Sequence, residues 1–140
     1  MKECTECEIS KDETEFGKLS QKSDKLRPMC KSCTKLADQA YRRSVEGLVT
    51  TLHSDHKKRS KLRGHKQPSY TKKELHEWLL SQPTFECMFN VWVENDYLRD
   101  LKPSVDRIDD FKGYTFQNIQ LLTTRDNVKK KRPTRCKPKR

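Results

Sequence analysis

The chain is poor in the material from which protein cores are made. Only 31% of its 140 residues are hydrophobic while 36% are charged, a supply too thin to stabilise a domain of this length by burial alone. The shortage calls for a staple of another kind. No apolar run approaches the ~18 residues that a membrane span requires, and no charged-then-apolar leader opens the chain. We therefore expect an intracellular protein with no membrane partner. Acidic residues are missing altogether from residues 129 to 140, KKKRPTRCKPKR, where eight basic residues hold most of the net +11, so that residues 1 to 128 carry only the remaining +3. With two prolines and no apolar periodicity, residues 131–140 are expected to form a disordered basic tail that meets a polyanion, or else a merely solubilising end.

What the chain does contain is six cysteines. Cys4, Cys7, Cys30 and Cys33 form two CxxC knuckles separated by 22 residues. Four thiolates complete the tetrahedral shell that Zn²⁺ accepts, and with every position filled by sulfur the zinc is structural. A redox dithiol needs one such motif, not two. The expected module covers residues 1–35, with Phe16 packed over the site. Structural zinc supplies ~10 kcal/mol or more of folding free energy, enough to order a segment with almost no other apolar residues. Cys87 and Cys136 stand alone, and Cys87 reads as a small buried residue of a helix.

Leu36, Ala37, Ala40, Tyr41, Val45, Leu48, Val49 and Leu52 fall at the three- and four-residue spacings of one helical face, predicting one long amphipathic helix over about 32–62 with Gly47 as a bend. Its basic continuation, with Lys57, Lys58, Arg59, Lys61, Arg63 and Lys66, suits phosphate contact; a solvated helical end is the alternative. Ser69 or Thr71 can cap a short helix, with Glu74 three residues after Thr71 as in a capping box, ahead of Leu75, Trp78 and Leu79. Phe85, Met88, Phe89, Trp92 and Val93 share one side of a helix over about 84–97 and read as core rather than as platforms for bases. Pro103 pushes its predecessor out of helical geometry, so a strand with Val105 and Ile108 should begin there. A KGY turn follows, then Tyr114, Phe116, Ile119, Leu121 and Leu122 as a second strand. Thr123 or Thr124 caps a last helix through Asp126, Asn127 and Val128. The expected fold is α+β: a zinc knuckle or ribbon module over 1–35, a helical middle over 36–100, a ββα unit over 101–130, and the tail.

The stretch PSVDRIDDFKGYTFQNIQLLTTRDNVKK resembles the ββα-metal unit of HNH endonucleases, especially phage-encoded ones, which act in the host cytoplasm. RGHKQPSYTKKELHEWL is similar to their helical lead-in, and paired zinc knuckles are a common attachment. The resemblance implies hydrolysis of a phosphodiester of double-stranded DNA around one Mg²⁺ or Mn²⁺. It implies Asp106 as the metal-binding acid, Asn118 as the holder of the catalytic loop and Asn127 as the group completing the metal shell, the three converging on one ion. Where the family carries its catalytic histidine this chain has Arg107, which stays protonated and cannot act as a base.

Three readings of Arg107 stay open. It clamps the scissile phosphate while the cation alone activates water; a histidine from the helical region, His53, His56, His65 or His76, serves as base, with His65 preferred; or the site is dead. In the last case the competing class is a non-catalytic DNA- or protein-binding protein. Asp109 and Asp110 read as turn residues whose carboxylates bond nearby amides, and Asp106 could instead pair with Arg107 or Arg125 to fix the hairpin.

Overall fold

Residues 1–129 are described by the computed structural model, which divides into two units, Met1–Ser44 and the residues from Val45 onward. Lys130, Lys131, Arg132, Cys136 and the rest of the basic tail lie outside the described residues. Among the described residues no helix is long and apolar enough to cross a membrane. The described residues form five α-helices and three two-stranded sheets, a mixed α+β arrangement.

The first unit is ordered around sulfur. Strand β1 (Lys2–Glu3) pairs antiparallel with β2 (Ser10–Lys11), and β3 (Phe16–Lys18) with β4 (Leu26–Cys30), which leads directly into α1 (Lys31–Arg42). Asp12 starts a 3-10 turn between the hairpins by accepting from the Thr14 amide at 2.9 Å and hydroxyl at 2.8 Å. Its buried apolar cluster is Cys4, Phe16 and Cys30, so Phe16 packs over the sulfurs as expected. Burying one phenyl ring contributes about 2 to 3 kcal/mol. That is far below the cost of ordering a segment of this length at ~1 kcal/mol or more per residue.

The long helix expected over 32–62 is two helices. The amides of Arg43 and Ser44 fall back on the carbonyls of Gln39 and Tyr41, and the Ser44 hydroxyl donates to the Tyr41 carbonyl. A serine that competes for backbone partners ends the helix where the apolar pattern alone would continue it. Helix α2 (Val45–Arg63) then buries Leu48, Val49 and Leu52, whereas Leu36 and Tyr41 on α1 are 65% and 50% exposed. Gly47, the expected bend, is carried inside α2.

In the second unit α3 (Lys72–Ser81) begins with the capping box read from sequence. The Glu74 amide donates to Thr71 Oγ1 at 3.2 Å, and the Thr71 amide donates to Glu74 Oε1 at 3.0 Å. Helix α4 (Phe85–Glu94) is shorter than the expected 84–97. Its Phe85 and Trp92 are buried and Phe89 is packed against them, with ring centroids 5.9 and 5.7 Å apart. These aromatics are core. Val93 is exposed, and so is Cys87. The reading of Cys87 as buried fails because it lies two residues beyond Phe85, about 200° around the helix and on its outer side.

Strand β5 (Pro103–Arg107) pairs antiparallel with β6 (Ile119–Thr123), Val105 facing Leu121 and Asp106 facing Gln120. The second strand starts later than expected, because Phe116 belongs to a 3-10 turn over 116–118. The Asp126 amide donates to Thr123 Oγ1 at 3.2 Å, and α5 follows over 124–129. One core, with Leu48, Leu52, Leu75, Leu79, Phe85, Val105 and Ile119, joins α2, α3, α4 and the β5–β6 pair. From Val45 on, the segment read as a helical middle is therefore part of the same packed body as the hairpin, whereas its residues 36–44 belong to the first unit.

Candidate metal and nucleic-acid sites

Both knuckles converge. The Sγ atoms of Cys4, Cys7, Cys30 and Cys33 all lie within 4.8 Å of one another, the one such group of three or more His, Cys, Asp or Glu among the described residues. A tetrahedral shell with Zn–S bonds of about 2.3 Å has S–S edges of about 3.8 Å, so the donors fit zinc after slight contraction. The first knuckle is shaped by Glu8, whose φ of 56° lets its amide return to the Cys4 carbonyl at 2.9 Å.

Cys4 Sγ accepts from the amides of Cys30 at 3.3 Å and Glu6 at 3.4 Å, and Cys30 Sγ accepts from Lys11 Nζ at 3.3 Å. The Cys30 amide above all holds the Cys4 thiol down to about 6. Cys30 is lowered as well, chiefly by the Cys33 amide, while Cys33 is pushed up to about 12 by its hydrogen bond with Cys30. Sulfurs this close do not all ionise unless a cation separates their charges.

In the second unit the strand pairing separates two faces. Val105 points into the core, and Ser104 and Asp106 alternate to the other face. Asp106 is buried, and its Oδ2 accepts from Gln120 Nε2 at 3.2 Å across the strands. Asn127, on α5, donates from Nδ2 to Ser104 Oγ at 3.0 Å. Its Oδ1 is buried without a hydrogen-bond partner, an acceptor that an oxygen-seeking cation would satisfy.

Asn118 is used otherwise. Its Oδ1 accepts from the Asp109 amide at 2.8 Å, and its Nδ2 donates to the carbonyls of Gly113 at 2.9 Å and Asp109 at 3.1 Å. Both ends of the amide are spent on the loop over 108–115. Asn118 is thus a loop stitch, while Asn127 meets Ser104, two residues before Asp106 on β5.

Arg107 completes the stitching. Its Nη1 donates to the Asp110 carbonyl at 2.7 Å and the Lys112 carbonyl at 2.8 Å, and its guanidinium lies 5.5 Å from the Tyr114 ring centre. Asp109 Oδ1 accepts from the Phe111 amide at 2.9 Å, the turn role read for it, while Asp110 contributes its carbonyl. Arg125 approaches Asp100 at 3.8 Å. The loop so fixed presents Phe111 at 91% exposure.

His65 reaches this loop through the end of α2. Gly64, at φ 72°, closes the helix: its amide returns to Lys61 and that of His65 to Ser60. This left-handed turn favours glycine. It sets His65 beside Gly113, where an added methyl group would lie 3.8 Å from the His65 Cβ, and brings His65 Nε2 to 3.4 Å from Arg107 Nη1. A guanidinium only donates, so Nε2 offers its lone pair.

The other histidines are placed differently. His53 Nε2 meets the Tyr70 carbonyl at 3.1 Å, and His76 is half-buried on α3. His56 is removed from the candidate bases because it is core: Nδ1 is 2.8 Å from the Tyr70 hydroxyl, and its ring stacks on Tyr114 with centroids 4.0 Å apart. Burial depresses its pKa from 6.5 to about 3. A histidine held neutral in the fold takes up its proton on unfolding, so its contribution is complete above pH 6.5 and is lost as pH falls towards 3. Urea midpoints followed by tryptophan fluorescence should therefore fall across that window, and a His56→Gln variant should flatten the decline.

Lys57, Lys58, Arg59, Lys61 and Arg63 are exposed along α2, Lys66 just beyond it, and Lys129 at the end of α5. Sequence reasoning missed Ser104, Gln120 and Gly64. The first two follow from strand register, which no local pattern reveals; the glycine before His65 was the available signal for the third. No known protein family, curated protein or solved structure matches this chain.

Proposed function

We propose that the chain is a metal-dependent DNA endonuclease of the HNH kind, hydrolysing phosphodiester bonds at the β5–β6–α5 unit, with the cysteine unit as a structural zinc module. The observation that carries this reading is the buried, unpartnered Asn127 Oδ1, on a side chain that meets Ser104, two residues before Asp106 on the same face of β5. Asp106 and Asn127 would hold a hard divalent cation, Mg²⁺ or Mn²⁺. Such a cation supplies neutralisation of the charge that builds on the phosphate and the departing 3′-oxygen.

The chain's own groups account for the remaining roles. Arg107 and Asn118 fix the loop beside the acid, which makes Arg107 a positioning residue rather than a base. His65 is the base, taking a proton from the attacking water at Nε2; its 3.4 Å contact with Arg107 is long enough to be exchanged for a water. The exposed cations of α2, with Lys66 and Lys129, contact the duplex backbone. Supercoiled plasmid incubated with the protein and Mg²⁺ or Mn²⁺ should become nicked or linear, and His65→Ala should slow cutting by ~10²-fold.

The second reading is a zinc-containing DNA- or protein-binding protein on the same scaffold. It is favoured by Arg107 standing where a base is needed, its Nη1 already donating to two backbone carbonyls. Plasmid that is retarded but intact under both metals would establish this binder and end the nuclease reading.

A further inference from the structure

We infer that a groove of the cysteine unit, between the β3–β4 hairpin and α1, seats the phosphodiester backbone of a nucleic acid. The groove has a volume of about 430 Å³, and Arg27 from β4 with Lys31, Lys35 and Arg42 from α1 line it against a single acid, Asp38. Lys31, Lys35, Asp38 and Arg42 recur at steps of four, three and four, which puts them on one helical face. Arg27 lies along the opposite wall because β3 carries Gly17 there: a Cβ at that position would come within 3.1 Å of the Arg27 Cδ. Among the described residues none of the four cations is drawn into an ion pair, the pair of this unit being Lys2 with Asp24.

Elsewhere in the unit charges of both signs are mixed, Glu3, Glu6, Glu8, Glu13 and Glu15 with Lys2, Lys11, Lys18, Lys22 and Lys25, whereas the groove lining holds four cations and one acid. From Lys31 to Arg42 the cations extend about 16 Å along the helix axis. One inorganic phosphate is too small to engage them together, whereas a strand rising about 3.4 Å per nucleotide presents several phosphates over that length. The groove adds contacts that neither the α2 cluster nor the basic tail provides. The choice of nucleic acid among polyanions rests on the DNA reading above.

The test is equilibrium binding of the full-length zinc-loaded protein to a fluorescein-labelled duplex without added divalent cation, so that cutting is not needed for a readout. The triple variant Lys31→Gln/Lys35→Gln/Arg42→Gln should bind about 10-fold or more weaker, and its slope of log K against log salt should be shallower by about 2 to 3. A charge-keeping variant, Lys31→Arg/Lys35→Arg/Arg42→Lys, should retain both affinity and slope. Zinc content and far-UV circular dichroism of both variants should equal those of the parent. Unchanged affinity and slope in the triple variant would overturn the proposal while leaving the nuclease reading intact. Displacement of the duplex by inorganic phosphate, beyond chloride at matched ionic strength, would overturn it in favour of a small-anion site. An equal loss in the charge-keeping variant would overturn it as a packing effect.

Discussion

Stripping the metal from the cysteine cluster is expected to unfold residues 1–44 and to leave the second unit folded. The first unit's buried apolar cluster is Cys4, Phe16 and Cys30, and its strands are two to five residues long. Four sulfurs within 4.8 Å of one another repel as thiolates once no cation lies between them, and the ~10 kcal/mol or more that a structural zinc would contribute is lost. The second unit has a continuous core from Leu48 to Ile119 and does not depend on sulfur. Cys4→Ser, which removes the most deeply hydrogen-bonded ligand, should act like the chelator. Hydrogen exchange with mass spectrometry separates the outcomes: amides of β3, β4 and α1 should lose protection, and those of α2 and α3 should keep it. Trp78 and Trp92 both lie in the second unit, so an unchanged tryptophan spectrum should accompany the loss. A metal-free protein with protected β3–β4 amides would show that the sulfurs are not the staple.

Replacing Asp106 with alanine is expected to abolish plasmid cutting, by ~10³-fold or more, since a cation-stabilised transition state loses several kcal/mol without its charged ligand. The same change leaves Gln120 Nε2 without its 3.2 Å acceptor, costing about 1 to 3 kcal/mol of stability. Asp106→Asn separates the two effects. It keeps the shape and an acceptor for Gln120 while removing the charge, so it should fold like the parent, bind duplex and fail to cut. An Asp106→Asn protein that cuts at the parental rate in Mg²⁺ would remove Asp106 from the chemistry.

Much of this was legible because it is local. The CxxC knuckles announce a sulfur cluster through spacing, and Thr71 with Glu74 specifies a helix start within four residues. The strand at 103–107 follows from the restriction that Pro103 imposes. The break at 43–44 was hidden because apolar spacing continues through it, so periodicity alone does not register that the backbone has turned. The exposure of Cys87 was also within reach of the sequence, since the side shared by Phe85, Phe89 and Trp92 already sets the helix phase and leaves Cys87 about 200° from Phe85. Gln120 opposite Asp106 and His65 beside Arg107 depend on contacts 14 and 42 residues apart, information that lies in tertiary packing.

The layered column of Arg107, Tyr114 and His56 ties the loop over 108–115 to α2, and Asn118 sews it shut from within. Most of that loop's conformational freedom was surrendered when the chain folded. Any molecule that settles against Phe111 therefore meets a ready-made contour and is spared the entropic toll of moulding it, so tightness there should track complementarity of shape more than plasticity.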